Sequence, residues 1–277
     1  MPREYSFHNY KPYKAPNGEM RRVDYCAVDI LVPFHKCYDL VGNLIESIIL
    51  KTKSNPYLIT LIDDGSPQDA SAEFKKHISS FRRVKYLRLD EPKGFGAAVN
   101  FGIQNTELPY VCVLHSDCKI EYVHWLESLG DALVKGKKEN IRMVVPRTNN
   151  SLGYSTEHDL TFDEFKVFLS QSSKQENQEY SFVLDDPVSS FCFLAHRELF
   201  NRTGGLKEYP YAGYELDEFY YRLTKKGFKQ AIVLDSWVSH KGSGTLNRLC
   251  KGNSKVKKES NLNRDRCLKD ISELING

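Results

Sequence analysis

The stretch Val28-Asp29-Ile30-Leu31-Val32-Pro33-Phe34-His35 decides the fold class of this 277-residue chain. Its apolar run ends at a proline and a polar residue, which is typical of a strand buried on both faces of a sheet. Apolar residues then recur at helical spacing between residues 40 and 49. A second β-rich run, Tyr57–Ile62, ends at Asp63-Asp64-Gly65-Ser66-Pro67. The order strand, helix, strand predicts parallel strands joined by a crossover helix.

The same alternation continues along the chain. Five further strands are predicted: Val84–Leu89, Tyr110–Leu114, Met143–Pro146, Phe191–Ala195 and Ala231–Leu234. Further helices are predicted at about residues 70–81, from residues 93–96 onward, at 217–226 and at 264–274. We therefore expect an α/β fold with a mostly parallel, Rossmann-like central sheet that is flanked by helices and forms a single domain.

Three segments are expected along the chain. Residues 1–27 are polar and lack periodicity, so they are predicted to be an N-terminal extension. Residues 28–250 would form the folded domain, and residues 251–277 a basic, partly helical C-terminal tail. The basic stretch Lys251–Lys258 could contact an anionic membrane surface, at roughly 1 kcal/mol per basic residue. A solvated segment is the simpler interpretation of the same residues.

Composition excludes several classes of protein. With 40% hydrophobic and 12% aromatic residues the chain is too apolar to be mainly disordered. Its 39 basic and 36 acidic residues give a net charge of +3, which argues against nucleic acid as a partner. Apolar runs fall short of the ~20 residues that a spanning helix needs, and the first residues lack the apolar core of a signal peptide. Seven scattered cysteines without a CxxC pair indicate reduced thiols, so we expect a cytoplasmic protein.

Polar groups directly follow three of the predicted strands: Pro33-Phe34-His35, Asp63-Asp64-Gly65-Ser66 and His115-Ser116-Asp117. Ligands of parallel sheets bind at the carboxyl ends of the strands, so this recurrence indicates a binding site. Turn chemistry alone would also explain Asp, Gly and Ser after a strand. The functional alternative is a carboxylate that accepts hydrogen bonds from a nucleobase or ribose.

The segment Lys93-Gly94-Phe95-Gly96 opens a predicted helix with two closely spaced glycines. It lacks the full GxGxxG pattern, so it is weak evidence for a dinucleotide site. Its small residues would still let the backbone approach a ligand closely, and Lys93 would add a positive charge.

His115-Ser116-Asp117 allows two interpretations. A histidine after a strand is often only a satisfied polar group. Alternatively, the Asp117 carboxylate and the distant His240 would form a divalent metal site, because oxygen and imidazole ligands suit Mn²⁺ or Mg²⁺. Since the net charge is nearly balanced, we expect a bound metal rather than a broadly basic surface to neutralise an anionic diphosphate.

Glu215-Leu216-Asp217-Glu218 precedes another predicted helix. Acidic residues in a first turn stabilise a helix through its dipole, which explains the cluster without any function. The alternative is a general base for an incoming hydroxyl group.

Taken in order, these segments resemble the inverting family-two glycosyltransferases of the GT-A fold. The resemblance covers about residues 28–245 and includes four further segments: Trp125-Leu126, Gly204–Glu208, Glu215–Arg222 and Val238–Gly244. It implies a metal-dependent hexosyl- or deoxyhexosyltransferase with a UDP- or dTDP-type sugar donor and a glycan or glycoconjugate acceptor. The reaction would invert the anomeric configuration and would belong to polysaccharide biosynthesis.

The resemblance also implies roles for individual residues. Asp64 would contact the base with support from Asp63, and Asp117 and His240 would hold the metal. His115 stands at the first position of the acid-x-acid motif of the family, which leaves the identity of the metal open. Nucleotide-sugar binding is expected of ten residues: Pro33, Phe34, His35, Asp63, Asp64, Lys93, Gly94, His115, Ser116 and Asp117.

The catalytic base of the family usually lies six residues before an arginine like Arg222. That position is Leu216 here, which cannot accept a proton. We expect Asp217 to be the base, with Glu215 as the second candidate. Two alternatives stay open: a non-catalytic module that binds a sugar nucleotide or glycan, and a nucleotidyltransferase. The latter usually carries a glycine-rich basic loop where this chain has Pro33-Phe34-His35-Lys36.

Overall fold

The structure is a computed structural model that describes residues 13–14, 20–21, 27–53, 56–154, 158–172, 182–184, 187–242 and 254–276. Most of the predicted N-terminal extension lies outside these residues. The Ser243-Gly244 end of the last motif and the start of the basic stretch also lie outside them. Within the described part, no helix is both long enough and apolar enough to cross a membrane.

The strands of the described residues are numbered in chain order. They are β1 (Tyr13–Lys14), β2 (Met20–Arg21), β3 (Val28–Phe34), β4 (Tyr57–Asp64), β5 (Val84–Leu89), β6 (Tyr110–Leu114), β7 (Cys118–Lys119), β8 (Ile141–Arg147), β9 (Phe182–Leu184), β10 (Cys192–His196), β11 (Lys229–Trp237) and β12 (Ser239–His240). The helices are α1 (Tyr38–Lys51), α2 (Gln68–Ile78), α3 (Phe95–Gln104), α4 (Trp125–Lys135), α5 (Phe162–Ser172), α6 (Arg197–Thr203), α7 (Glu215–Lys225), α8 (Ser254–Asn261) and α9 (Asn263–Asn276).

Eight of these strands form one central sheet in the order β5-β4-β3-β6-β10-β8-β11-β9. The neighbours from β5 to β6 are parallel to one another, and β8 is parallel to β11. Only β10 and β9 run in the opposite direction among the sheet strands described. The predicted mostly parallel α/β sheet flanked by helices is therefore confirmed. The strand predicted at Phe191–Ala195 forms as β10, but its reversed direction could not be read from its apolar run.

Alternation within β3 places apolar side chains on both faces of the sheet. Ile30 and Val32 pack into one buried cluster with α1 and α4. Leu31 packs into a second cluster with α3, α6 and α7. The helices α4, α5 and α6 were not predicted; α4 packs against β8 and β11, and its Trp125 is fully buried. The two apolar layers leave the strand ends as the place for polar chemistry.

Asp29, within the deciding stretch, has a structural role. Its Oδ2 accepts hydrogen bonds from Leu108 N and from Arg197 Nη2, each at 2.8 Å. Burial raises the pKa of this carboxyl group, and the Leu108 amide and the Arg197 charge oppose that rise. Because Asp29 sits near the start of β3, it lies away from the carboxyl end where ligands bind.

Candidate functional site

The predicted polar segments meet at one edge of the sheet. Strands β4, β3 and β6 are neighbours, and Phe34 pairs with Asp63 in the parallel register. The segment Pro33–His35, the pair Asp63-Asp64 and the segment His115–Asp117 therefore lie at the carboxyl ends of three adjacent strands.

Asp63 is fully buried and is surrounded by donors. Its carboxylate accepts hydrogen bonds from Ser66 N at 2.9 Å, from Ser71 Oγ, from Tyr86 OH and from Arg88 Nη1 at 3.0 Å. Burial alone would raise the pKa of Asp63, but the hydrogen bonds from both serines and the tyrosine lower it overall. All of these donors belong to the protein, so Asp63 fixes the end of β4.

Asp64 joins the end of β4 to the loop before α3. Its two carboxylate oxygens accept hydrogen bonds from Lys93 N at 2.7 Å and Gly94 N at 2.9 Å. Gly94 has a φ of 98°, and a Cβ there would lie 2.6 Å from the carbonyl oxygen of Tyr209, so only glycine fits. Burial raises the pKa of Asp64, and the two amides oppose the rise. Lys93 and Gly94 thus act on Asp64 through their backbone.

Phe34, the last residue of β3, and His35, which follows it, make different contacts. His35 Nδ1 lies 2.6 Å from the carbonyl oxygen of Asp64, which links the ends of β3 and β4. The ring of Phe34 is buried and packs edge-on against Tyr38 and Phe74, with centroids 5.8 and 5.7 Å away. Phe34 therefore contacts α1 and α2, and His35 is the side chain that bonds across the strand ends.

His115, Asp117 and His240 come together as the sequence predicted for Asp117 and His240. One potential ligand atom from each lies within 4.8 Å of the other two. The pairing of His240 with Cys118 between β12 and β7 brings this distant histidine to the end of β6. His240 Nδ1 lies 2.8 Å from the carbonyl oxygen of Asn150, so this nitrogen carries the proton and donates it.

These residues fit a divalent metal ion. His240 Nε2 is buried and has no hydrogen-bond partner among the described residues. This atom lies 3.5 Å from Asp117 Oδ1, so an imidazole nitrogen and a carboxylate oxygen, both ligands of divalent metals, stand close together. Burial and the neighbouring His240 lower the pKa of His115 to about 4, which keeps its imidazole neutral and able to bind a metal. Ser116 is buried between His115 and Asp117.

Three acidic side chains lie in the first turn of α7, and two of them, Glu215 and Asp217, are the candidate bases. Glu215 is only 2% exposed; its Oε2 accepts a hydrogen bond from Gly213 N at 2.8 Å. Its Oε1 has no hydrogen-bond partner within the described ranges, and burial raises the pKa of Glu215 to about 7. Asp217 is half-buried and accepts a hydrogen bond from Tyr154 OH at 2.7 Å. Burial also raises the pKa of Asp217, and the Tyr154 hydrogen bond opposes this.

Leu216, between these acids, is buried in the second apolar cluster, so it packs rather than faces the site. Further along α7, Arg222 donates to both carboxylate oxygens of Glu218, with Nε and Nη2 each at 2.7 Å from one of them. Its other hydrogen bonds go to the carbonyl oxygens of Thr203 and Gly205. Arg222 therefore ties α7 to loop 204–214, which precedes it.

Loop 204–214 is held from two sides. Phe95 N, at the start of α3, donates to the carbonyl oxygen of Tyr211 at 2.7 Å. From α9, Asn263 Nδ2 donates to the carbonyl oxygens of Pro210 at 2.8 Å and Ala212 at 3.1 Å. Tyr211 has a φ of 66°, which is unfavourable for a residue with a Cβ, so these hydrogen bonds stabilise a strained turn. The loop in turn sets the position of the first turn of α7.

Sequence reasoning missed four residues of this region. Arg147 ends β8 and lies at the same edge of the sheet; the strand-end rule that found Asp64 and Asp117 applies to it as well. Tyr154 bonds to Asp217 from a different loop, and Asn150 acts through its backbone carbonyl, so neither gives a signal in the sequence. Asn263 lies in the predicted tail, where nothing in the local pattern indicates its contact with loop 204–214.

A family model described as "Glycosyl transferase family 2" matches residues 29–204. This range contains Asp63, Asp64, His115 and Asp117, and it ends before Glu215, Asp217 and His240. The chain is also similar to "Uncharacterized protein y4gI" of Sinorhizobium fredii (strain NBRC 101917 / NGR234), with 24% identity over 200 residues, 65% of this chain and 20% of the relative.

Among solved structures, the chain is similar to the "Crystal structure of GalNAc-T7 with UDP, GalNAc and Mn2+". The TM-score is 0.63 at 19% identity, over 79% of this chain and 44% of that chain. The chain therefore spans about a fifth of the curated relative and less than half of the solved one. At this identity the structural likeness shows a shared GT-A-like fold.

Proposed function

The chain belongs to glycosyl transferase family 2, and from this premise we propose that it moves a sugar from a nucleotide-sugar donor to a hydroxyl group of an acceptor. The observation that carries the proposal is the buried Nε2 of His240, which faces Asp117 Oδ1 at 3.5 Å beside the strand ends. Asp117 and His240 would hold a divalent metal, which would supply positive charge for the diphosphate of a donor at the strand ends.

The proposed donor is a UDP- or dTDP-type sugar, and the proposed acceptor is a glycan or glycoconjugate. The similar GalNAc-T7 structure was solved with UDP, GalNAc and Mn2+, which supports testing UDP sugars first. The proposed metal is Mn²⁺ rather than Mg²⁺, because two of the three candidate ligands are imidazoles and Mg²⁺ prefers oxygen ligands. When bound, the metal would neutralise the charge that grows on the departing diphosphate.

Asp217 is the proposed general base. It is half-buried and so can meet an acceptor hydroxyl, whereas Glu215 is almost fully covered. The hydrogen bond from Tyr154 OH orients its carboxylate, and its raised pKa strengthens it as a base. Glu215, with Oε1 lacking a partner in the described structure, is proposed to hold the acceptor.

The proposed reaction is a single displacement. Asp217 takes the proton of the acceptor hydroxyl while the oxygen of that hydroxyl forms a bond to the anomeric carbon of the donor sugar. The bond from that carbon to the diphosphate breaks with its electron pair on the diphosphate oxygen. Attack from the opposite face inverts the anomeric configuration, so no covalent sugar-enzyme intermediate is needed.

One observation favours a second candidate, a non-catalytic module that binds a sugar nucleotide. Leu216 stands where the family usually has its base, and it is buried in the apolar core. Such a module would bind the donor and metal but would neither transfer the sugar nor hydrolyse the donor.

The test is a thermal-shift screen of UDP and dTDP sugars with Mn²⁺ or Mg²⁺, followed by transfer and donor-hydrolysis assays on each hit. A donor raises the melting temperature in proportion to RT ln(1 + [L]/Kd), so weak donors register at high concentration. We expect a metal-dependent shift that Asp117→Ala abolishes, with transfer reduced roughly 1,000-fold. Glu121→Gln is the matched control, since Glu121 bonds only Lys119 among the contacts of the described residues. Full metal-dependent activity in Asp117→Ala would refute the proposal, and binding without any turnover would favour the non-catalytic module.

A further inference from the structure

Arg147 lies at the carboxyl end of β8, on the edge of the sheet that carries the site. Its backbone carbonyl accepts a hydrogen bond from Val238 N at 2.9 Å, two residues before His240. Its guanidinium carbon stands 4.5 Å from the centroid of the Phe168 ring. Across the described ranges, its Nε and Nη1 are buried without a hydrogen-bond partner. Burial lowers the pKa of Arg147, as expected for a cation short of partners.

Two other partly buried arginines near the sheet, Arg197 and Arg222, donate their hydrogen bonds to acceptors within the protein. Arg197 donates to Asp29, to Thr106 and to the carbonyl oxygens of Ile103 and Leu108. Arg222 donates to both oxygens of Glu218 and to two carbonyl oxygens. Buried guanidinium donors are costly unless they are paired, so the unused Nε and Nη1 of Arg147 indicate a partner from outside the described residues.

Arg147 lines a small cavity whose wall includes one residue that contacts the candidate metal cluster and one that contacts the proposed base. Phe191 lines the same cavity, and its ring stacks on His240 with centroids 5.1 Å apart. Tyr154 also lines it and donates to Asp217 at 2.7 Å. The cavity volume is about 20 Å³, which admits one or two oxygen-sized groups but not a sugar ring.

The acid in the cavity wall does not neutralise this arginine. Asp159 Oδ2 already accepts hydrogen bonds from Ser151 N at 3.0 Å and Ser151 Oγ at 3.2 Å. No ion pair joins Asp159 to Arg147 in the described structure. The positive charge of Arg147 is therefore open to an anionic oxygen that enters the cavity.

We propose that Arg147 binds a carboxylate or phosphate group of the substrate, so that the enzyme selects an acidic sugar or an acidic acceptor. The substrate role rests on the proposed function, since the cavity adjoins both the candidate metal ligands and Asp217. A guanidinium recognises the planar carboxylate and the phosphate equally well. The anion belongs either to the donor sugar or to the acceptor, and the experiment separates these sources.

The experiment measures binding by isothermal titration calorimetry on the full chain with Mn²⁺, so it does not depend on turnover. The donor arm compares UDP-glucuronic acid with UDP-glucose. The acceptor arm compares glucose 6-phosphate with glucose, and inorganic phosphate is the sugar-free anion. The variant is Arg147→Gln. The matched control is Arg142→Gln, because Arg142 lies on the same strand at its other end and also stands over a phenyl ring, that of Phe228 at 5.6 Å.

We expect the wild-type protein to bind the acidic member of one pair at least tenfold more tightly than the neutral member. Arg147→Gln should abolish this preference and leave the neutral member unchanged, while Arg142→Gln should keep it. The arm that shows the preference identifies the source of the anion. The proposal is overturned if the wild-type protein neither binds phosphate nor binds the acidic probes more tightly than the neutral ones. It is also overturned if Arg147→Gln weakens the binding of acidic and neutral probes equally. If no nucleotide sugar binds at all, the proposed function fails, and the phosphate and glucose 6-phosphate titrations still decide the role of Arg147.

Discussion

Asp63 and Glu215 are both buried carboxyl groups of one site, but their surroundings are opposite. Asp63 accepts hydrogen bonds from two serines, a tyrosine and an arginine, and its pKa is lowered. Among the described residues, Glu215 has a single backbone donor outside its own helix, Gly213 N, and its pKa is raised to about 7. On the Asp63 side of the site, the carboxylate is thus satisfied by the protein itself. On the α7 side, Glu215 Oε1 keeps no hydrogen-bond partner among the described residues.

The same difference separates the arginines of the two sides. Arg88 donates to Asp63 and to Ser71, while Arg147 has buried donors with no protein acceptor in the part of the chain described. A polar group left without a partner costs stability, so such groups accumulate where a substrate will satisfy them. We infer that the satisfied groups around Asp63 hold the strand ends in position, whereas the unsatisfied groups near α7 are free to bind a substrate.

The largest effect should come from removing the proposed base on the unsatisfied side. We expect Asp217→Asn to lower kcat by roughly 10²- to 10⁴-fold, because the amide cannot accept the hydroxyl proton. Metal-dependent donor binding should stay unchanged, since the groups that would hold the donor belong to the other side. Steady-state kinetics and donor titration measure both quantities, and the exposed Asp265→Asn is the control. A greater loss of turnover in Glu215→Gln would transfer the role of base to Glu215.

A smaller effect should come from the residue that holds loop 204–214 without touching substrate. Asn263→Ala removes the donors to the carbonyl oxygens of Pro210 and Ala212. We expect about a tenfold lower kcat, an unchanged Kd for the donor, and a loss of about 1–3 kcal/mol in the free energy of unfolding. Urea denaturation and hydrogen exchange of residues 211–214 test this, with the exposed Lys269→Ala on the same helix as control. An equal loss of donor affinity would mean that the variant disturbs the whole fold.

The smallest effect should be on the pH dependence of stability, to which the two buried carboxyl groups contribute in opposite directions. The pKa of Asp63 is lowered in the folded state, so its stabilisation is present above its unfolded pKa and is lost as pH falls. The pKa of Glu215 is raised to about 7, so its stabilisation is present below its unfolded pKa and is lost as pH rises through about 7.

We therefore expect Glu215→Gln to gain stability relative to the wild-type protein between pH 5 and pH 8, on the order of 1 kcal/mol. Urea denaturation at both pH values measures this difference. A pH-independent difference between the two proteins would show that Glu215 titrates normally and that the contrast with Asp63 is absent.

The sequence predicted where the strand-end residues lie, because these residues end the strands or directly follow them in the chain. Asp64, Asp117 and the apolar runs before them stand together in the chain, so the strand-end rule places them without any tertiary information. His240 was the exception, since its partner is more than a hundred residues away; its pairing with Asp117 rested on the ligand chemistry of the two residues and on the family resemblance.

The side of α7 could not be predicted to the same depth, because its contacts join segments far apart. Tyr154 reaches Asp217 from another loop, and Asn263 reaches loop 204–214 from the predicted tail. The reversed direction of β10 depends on tertiary pairing rather than on its own residues. The side chain of Leu216 alone indicates that it cannot accept a proton. Its burial adds the physical reason for a leucine at this position, which is packing in the core.

The hydrogen bonds from Asn263 to Pro210 and Ala212 join residues 53 and 51 positions apart in the chain. During synthesis on a ribosome, loop 204–214 therefore emerges well before the helix that holds it. The strand ends around Asp64 and Asp117 can already pair by then, since β3, β4 and β6 come from the first half of the chain. We expect donor binding to be acquired earlier in translation than turnover, so that a nascent chain can hold a nucleotide before it can use it.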